Sequence, residues 1–102
     1  MRYVVSLRET LERLQSDWLV EQLAATEHER WSHWQSYLHE QCVQQPDGSL
    51  TIPPHLVDRW NSQFSTSYDN LSEEEKESDR EQVRRYLPIV LAAVQTLQQS
   101  TR

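Results

Sequence analysis

Between residues 23 and 42 the sequence LAATEHERWSHWQSYLHEQC returns to one side-chain line at steps of four and three. Leu23, Glu27, Trp31, Trp34, Leu38 and Cys42 fall on that line, which is the spacing of one helix face. Glu27 is its only charged member. A carboxylate among tryptophans is costly unless a cation or hydrogen-bond donors meet it. A second stretch, residues 72–97, offers the cation, with a line through Lys76, Asp79 or Arg80, Val83, Leu87, Val90, Val94 and Leu97. The expectation is that these two helices pack along their lines. The charged ends of the lines then meet in one polar nest.

Composition narrows the rest. A chain of 102 residues is expected to form one domain, 1–102. One glycine and four prolines are too few turn formers for an all-β fold. Apolar residues make up 36%, enough for a modest core, and four Trp and four Tyr supply much of its bulk. The net charge of −6 argues against a nucleic-acid polymer as partner, because phosphate contacts need a basic face. It argues equally against an anionic membrane surface. A local basic cluster can still hold a small anion.

Cys42 is the only cysteine, so no disulfide framework or thiolate zinc site arises within one chain. A small buried core residue is its ordinary reading. Residues 1–5 are too short for the apolar region of a secretory signal. No run approaches the ~20 apolar residues of a membrane span. A soluble protein in a reducing cytoplasm is the expectation.

In chain order, residues 1–5 contain a β-prone Tyr3-Val4-Val5 run, read as an extended arm. Ser6 with Glu9 three residues later forms a capping box, and Leu7, Leu11, Leu14 and Trp18 then recur with helical period. This first helix runs to about Gln15. Ser16 or Asp17 caps a second helix over about 17–40, or the first helix continues into it with a bend, since no Pro or Gly decides between them. Pro46-Asp47-Gly48 is a turn signature flanked by Val43 and Leu50-Thr51-Ile52, the pattern of a tiny hairpin. Pro53-Pro54 introduces a short helix with Leu56, Val57, Trp60 and Phe64 on its apolar face. Residues 65–71 read as a loop. Ser72 caps the last helix, with Glu73, Glu74 and Glu75 in the turn the helix dipole favours. Pro88 predicts a kink, or a break with a restart. Residues 87–97 are expected to close the core against the first helix, and residues 100–102 to fray.

No metal or nucleophile motif stands out. His28 and His33 lack the i, i+3 or i+4 spacing of a helical metal pair. Cys42 has His39 three residues before it but no strained elbow. A carboxylate pair would have to be Glu27 and Asp79, the acids on the two lines. Each is more simply a partner for Lys76, Arg80 or Arg84. Trp31, Trp34, Trp60, Phe64 and Tyr68 are core by default. Tyr68, in a loop ahead of the charged helix, is the best placed to stack on a flat ring.

Leu23-Ala24 with His28-Glu29-Arg30-Trp31, followed by Tyr68, Leu71, Glu75, Lys76, Asp79 and Arg80 in order, resembles the ryanodine-receptor repeat (RyR) domain. The resemblance covers about residues 23–97 and is most specific from Tyr68 to Arg80. The chain departs from that family in lacking a Gly-Trp-x-Tyr-Gly segment and in having Ser67 where a proline precedes the tyrosine. The resemblance implies a compact helical domain that binds a nucleotide-derived ligand without catalysis. It also points to a small stand-alone bacterial or phage version, with a link to defence signalling by analogy.

The expectation is therefore a small all-α fold of about four helices with a minor β-hairpin. Two functional readings stay open. In the first, the chain is a non-catalytic module, needing no cofactor or metal, for a small anionic, nucleotide-like ligand. Lys76, Arg80 and Arg84 hold the anion, Tyr68 and Trp31 stack, and Glu27 and Asp79 orient the cations. His28, at the histidine place of the His-x-x-Trp element, joins them. In the second, the same charges form an ion-pair network and an exposed aromatic patch pairs two copies of the chain.

Overall fold

The computed structural model describes residues 6–99, and side chains as far as residue 95. The arm expected at 1–5 and the fraying expected at 100–102 lie outside the described residues. Within them the fold is all-α: four α-helices and one two-stranded antiparallel hairpin.

Helix α1 spans Leu7–Leu14. Ser6 caps it, its Oγ accepting from the Glu9 amide at 3.1 Å. Helix α2 spans Asp17–Gln41. Of the two candidate caps, Ser16 acts: its Oγ accepts from the Leu19 amide at 3.3 Å. Strands β1 (Val43–Gln44) and β2 (Leu50–Thr51) pair Val43 with Thr51 and Gln44 with Leu50. Their turn needs Gly48, whose φ of 88° lies in the left-handed region. Asp47 Oδ1 accepts from both the Ser49 amide (2.9 Å) and the Ser49 hydroxyl (2.6 Å), locking the turn.

Helix α3 spans Pro54–Phe64, with proline in its first turn, where the missing N–H has no helical partner to lose. A 3₁₀ turn, Tyr68–Asn70, interrupts the segment expected to be a loop. Helix α4 spans Glu73–Gln99. Ser72 Oγ accepts from the Glu75 amide at 3.2 Å and donates to Glu75 Oε1 at 3.1 Å, a reciprocal cap. The helix passes through Pro88 without the expected break.

The chain forms two compact units: Met1–Glu29 with Arg80–Arg102, and Arg30–Asp79. In the first, Leu19 and Ala93 are buried; in the second, Leu56 is. Two expectations about inward faces are corrected here. On α2 the less exposed line is Leu19, Leu23, Thr26, Arg30, Gln35, Leu38 and Cys42, while Glu27, Trp31 and Trp34 are exposed. The change substitutes Thr26 for Glu27 on the inner face, so the carboxylate keeps its water. On α4 the less exposed residues from 82 on are Gln82, Tyr86, Ile89, Val90, Ala92, Ala93 and Val94, so Val90 and Val94 of the expected line do lie on that side. Val83 and Leu87, expected inside, are 53% and 51% exposed.

The aromatic residues are also more exposed than the default reading held. Trp18, Trp31, Trp34 and Tyr68 are exposed, Phe64 is 79% exposed, and only Trp60 among the tryptophans is half-buried. Helix α1 contains no buried residue, and Leu7, Leu11 and Leu14 are all exposed. Residues 87–95 share a compact unit with α1, and Ala93 is buried there, but Leu87 and Leu91 are exposed; side chains 96 and 97 of the expected closure lie outside the described residues.

Candidate functional site

The eight residues singled out from the sequence divide between the two units. Glu27, His28, Arg80 and Arg84 belong to one; Trp31, Tyr68, Lys76 and Asp79 belong to the other.

In the first unit Glu27 meets a donor that the sequence reading did not name. The Tyr86 hydroxyl donates to Glu27 Oε2 at 2.5 Å, joining α2 to α4. Tyr86 lies on the inner line of α4, one residue from the line through Val83 and Leu87 that the sequence favoured. The signal was present in one form: an acid beside aromatics needs a donor, and a phenol serves as well as a guanidinium. Glu27, His28, Arg80 and Arg84 all have further interactions within the protein.

In the second unit the structure brings Tyr68 and Lys76 together. The Lys76 ammonium lies 5.7 Å from the Tyr68 ring centroid, a cation–π contact. It also sits 3.6 Å from Glu73 Oε1 on the preceding turn. The Lys76 side chain is 19% exposed and the Glu73 side chain 78%, so the ammonium is largely covered while its partner is wet. The 3₁₀ turn positions the ring and the Ser72 cap positions the first turn of α4, which together fix this contact. Trp31 and Asp79 are exposed.

A second aromatic group lies in the same unit. The Trp34 ring contacts Tyr37 at 5.6 Å and Trp60 edge-on at 5.6 Å with 68° between planes. These rings hold α2 against α3 while leaving Trp34 and Tyr37 partly open to water.

The local charge weighs against an anion at Lys76. Glu73, Glu74, Glu75 and Glu77 all lie within three residues of it. A phosphate arriving there meets an ammonium already paired with Glu73. Among the described residues no group of three or more His, Cys, Asp or Glu side chains is arranged to hold a metal ion. Asp47 in the hairpin turn is held clearly below the usual carboxylate range, first by the Ser49 hydroxyl and then by the Ser49 amide. No helix among the described residues is long and apolar enough to cross a membrane. Comparison of the chain with protein-family models, with curated proteins and with solved structures finds no match.

Proposed function

We propose that the chain is a non-catalytic helical module that works by covering its apolar faces with protein. One observation carries the reading. Among the described residues only Leu19, Leu56 and Ala93 are buried apolar residues, whereas seventeen large apolar side chains remain exposed. Scattered apolar residues on a surface are ordinary. Here Leu7–Leu11–Leu14 on α1 and Val83–Leu87–Leu91 on α4 fall on helix lines, which is the pattern of a face made for a neighbour. A single free thiol at Cys42 suits a cytoplasmic setting.

The test is hydroxyl-radical footprinting of the protein at native abundance in cell extract against the purified protein at high dilution. Leu7, Trp18 and Phe64 are expected to be protected in the extract. Equal labelling in both would remove the reading.

Binding of a nucleotide-like ligand is the second reading, kept by one contact. Lys76 over the exposed ring of Tyr68 puts a cation and a flat stacking surface in one place. The resemblance to RyR domains from Tyr68 to Arg80 supports the same reading, including its bacterial or phage setting. A thermal-shift screen of nucleotides, dinucleotides and cyclic oligonucleotides tests it, since a ligand of the folded state raises the melting temperature by mass action.

A further inference from the structure

Gly48 is the only glycine in the chain, and it follows Asp47. That pair carries a reactivity of its own. In an Asp-Gly step the glycine nitrogen, unhindered by a Cβ, can attack the preceding side-chain carboxyl. A bond forms between Gly48 N and Asp47 Cγ, the nitrogen gives up its proton, and the carboxyl hydroxyl leaves as water. The product is a cyclic succinimide. Water then adds to one of its two carbonyls. Opening at Cγ restores aspartate. Opening at the Asp47 backbone carbonyl leaves the chain running through the side chain, as isoaspartate. The water lost in the first step is regained in the second, so no oxidant or co-reactant is needed.

The folded turn holds each group this reaction needs. The Gly48 N–H donates to the Gln45 carbonyl at 3.0 Å, so the proton that must leave is already engaged. The Gln45 N–H donates to the Ser49 carbonyl at 2.8 Å and closes the loop from its other side. Asp47 Oδ1 accepts from the Ser49 amide at 2.9 Å and the Ser49 hydroxyl at 2.6 Å. Both bonds draw the carboxylate toward residue 49, one position past the nitrogen that would attack it. They also favour its ionised form, which has no hydroxyl to expel. Packing adds nothing: a Cβ at Gly48 would meet no atom within 4 Å.

We propose that Asp47-Gly48 is a backbone-isomerisation site of this chain, kept silent by the hydrogen bonds of its own hairpin, with Ser49 as the guarding residue. Reaction then proceeds only from molecules whose hairpin has opened. The site stands apart from either reading of the chain's function. Isomerisation inserts one extra backbone atom into the turn. The pairs Val43–Thr51 and Gln44–Leu50 depend on the length of that turn, so they lose register. Isoaspartate at 47 is thus a lasting record of time spent with the hairpin open.

The experiment incubates the full chain in mildly acidic buffer, folded and in guanidinium chloride, and follows isoaspartate with time. A protease that cleaves before aspartate but not before isoaspartate, with mass spectrometry of the fragments, locates the product. Isoaspartate is expected at Asp47, forming about tenfold or more slowly in the folded chain. Ser49→Ala loses a hydrogen bond to a charged group and is expected to speed the folded reaction about threefold or more. Ser49→Thr keeps the hydroxyl and should keep the wild-type rate. In guanidinium chloride all three chains should react alike, and circular dichroism checks that the variants keep their helices in buffer. Equal rates for the folded and denatured wild type overturn the gating, whatever the variants do. A denatured chain that isomerises faster at another acid than at Asp47 overturns the site. A folded Ser49→Ala that reacts no faster than the wild type overturns the guarding role.

Discussion

The hydrogen bond from Tyr86 to Glu27 spans 59 residues of sequence and ties α2 to α4, so its removal should be felt by the whole first unit. Tyr86→Phe deletes the donor and keeps the ring. A hydrogen bond to a charged acceptor contributes about 1.5–3 kcal/mol when shielded. Glu27 is exposed and Tyr86 half-buried, so water competes and the contribution falls below that range, to about 1 kcal/mol. For a chain of this size that lowers Tm by about 4–8 °C.

Glu27→Gln keeps the shape and an acceptor but loses the charge. Glu27 has other interactions as well, so its single-variant cost mixes several terms. A double-mutant cycle separates them: the coupling between Tyr86→Phe and Glu27→Gln isolates this pair. The assay is urea unfolding followed by tryptophan fluorescence, with thermal melts as a second measure. A coupling below about 0.3 kcal/mol, within the scatter of independent sites, would refute the reasoning.

Four other outcomes follow from particular contacts. Ser72→Ala removes the reciprocal cap of α4 and should cost about 1 kcal/mol in urea unfolding, with Ser72→Asp restoring most of it. Pro88→Ala should raise Tm, because an exposed mid-helix proline is replaced by a residue that donates its N–H, a gain of about 1–3 kcal/mol. Gly48→Ala meets no atom within 4 Å, so only backbone strain opposes it, about 1–2 kcal/mol confined to the hairpin and visible in the NMR shifts of residues 43–51. Asp47 is held below its ordinary range, so its hold on the turn is present above the unfolded carboxylate value and is lost as pH falls through the lower folded one. The Ser49 amide proton should shift and exchange faster across that acid window, and an unchanged Ser49 signal would count against it.

Element boundaries were legible wherever a local signal sets them. Ser6 and Ser72 each accept from the amide three residues on, Pro54 opens α3, and Gly48 takes the positive φ that its turn requires. These depend on neighbours in sequence. Which side of a long helix faces inward depends on partners far along the chain. In α2 the lines through Thr26 and through Glu27 are adjacent and share Leu23, Leu38 and Cys42, so periodicity alone cannot choose between them. In α4 apolar residues occupy more than half the circumference after Val83, so periodicity put Val90 and Val94 on the less exposed side correctly and Val83 and Leu87 there wrongly. Tyr68 and Lys76 were each legible as candidates, eight positions apart with a cap between them, but their direct contact was not read from the sequence. Nor was the Glu27–Tyr86 contact, since nothing local records which aromatic residue meets an acid 59 positions away.

The hairpin has a consequence for how the chain behaves when crowded. Strands with apolar side chains and open edges invite further strands, and Val43, Leu50 and Ile52 are exposed. Each strand here is two residues long, and Pro46 and Pro53, lacking N–H groups, each stand one residue past a strand end, with Pro54 next. A growing sheet finds no donor at the two residues past Ile52. Deposits formed by this protein at high concentration should therefore scatter light without binding thioflavin T.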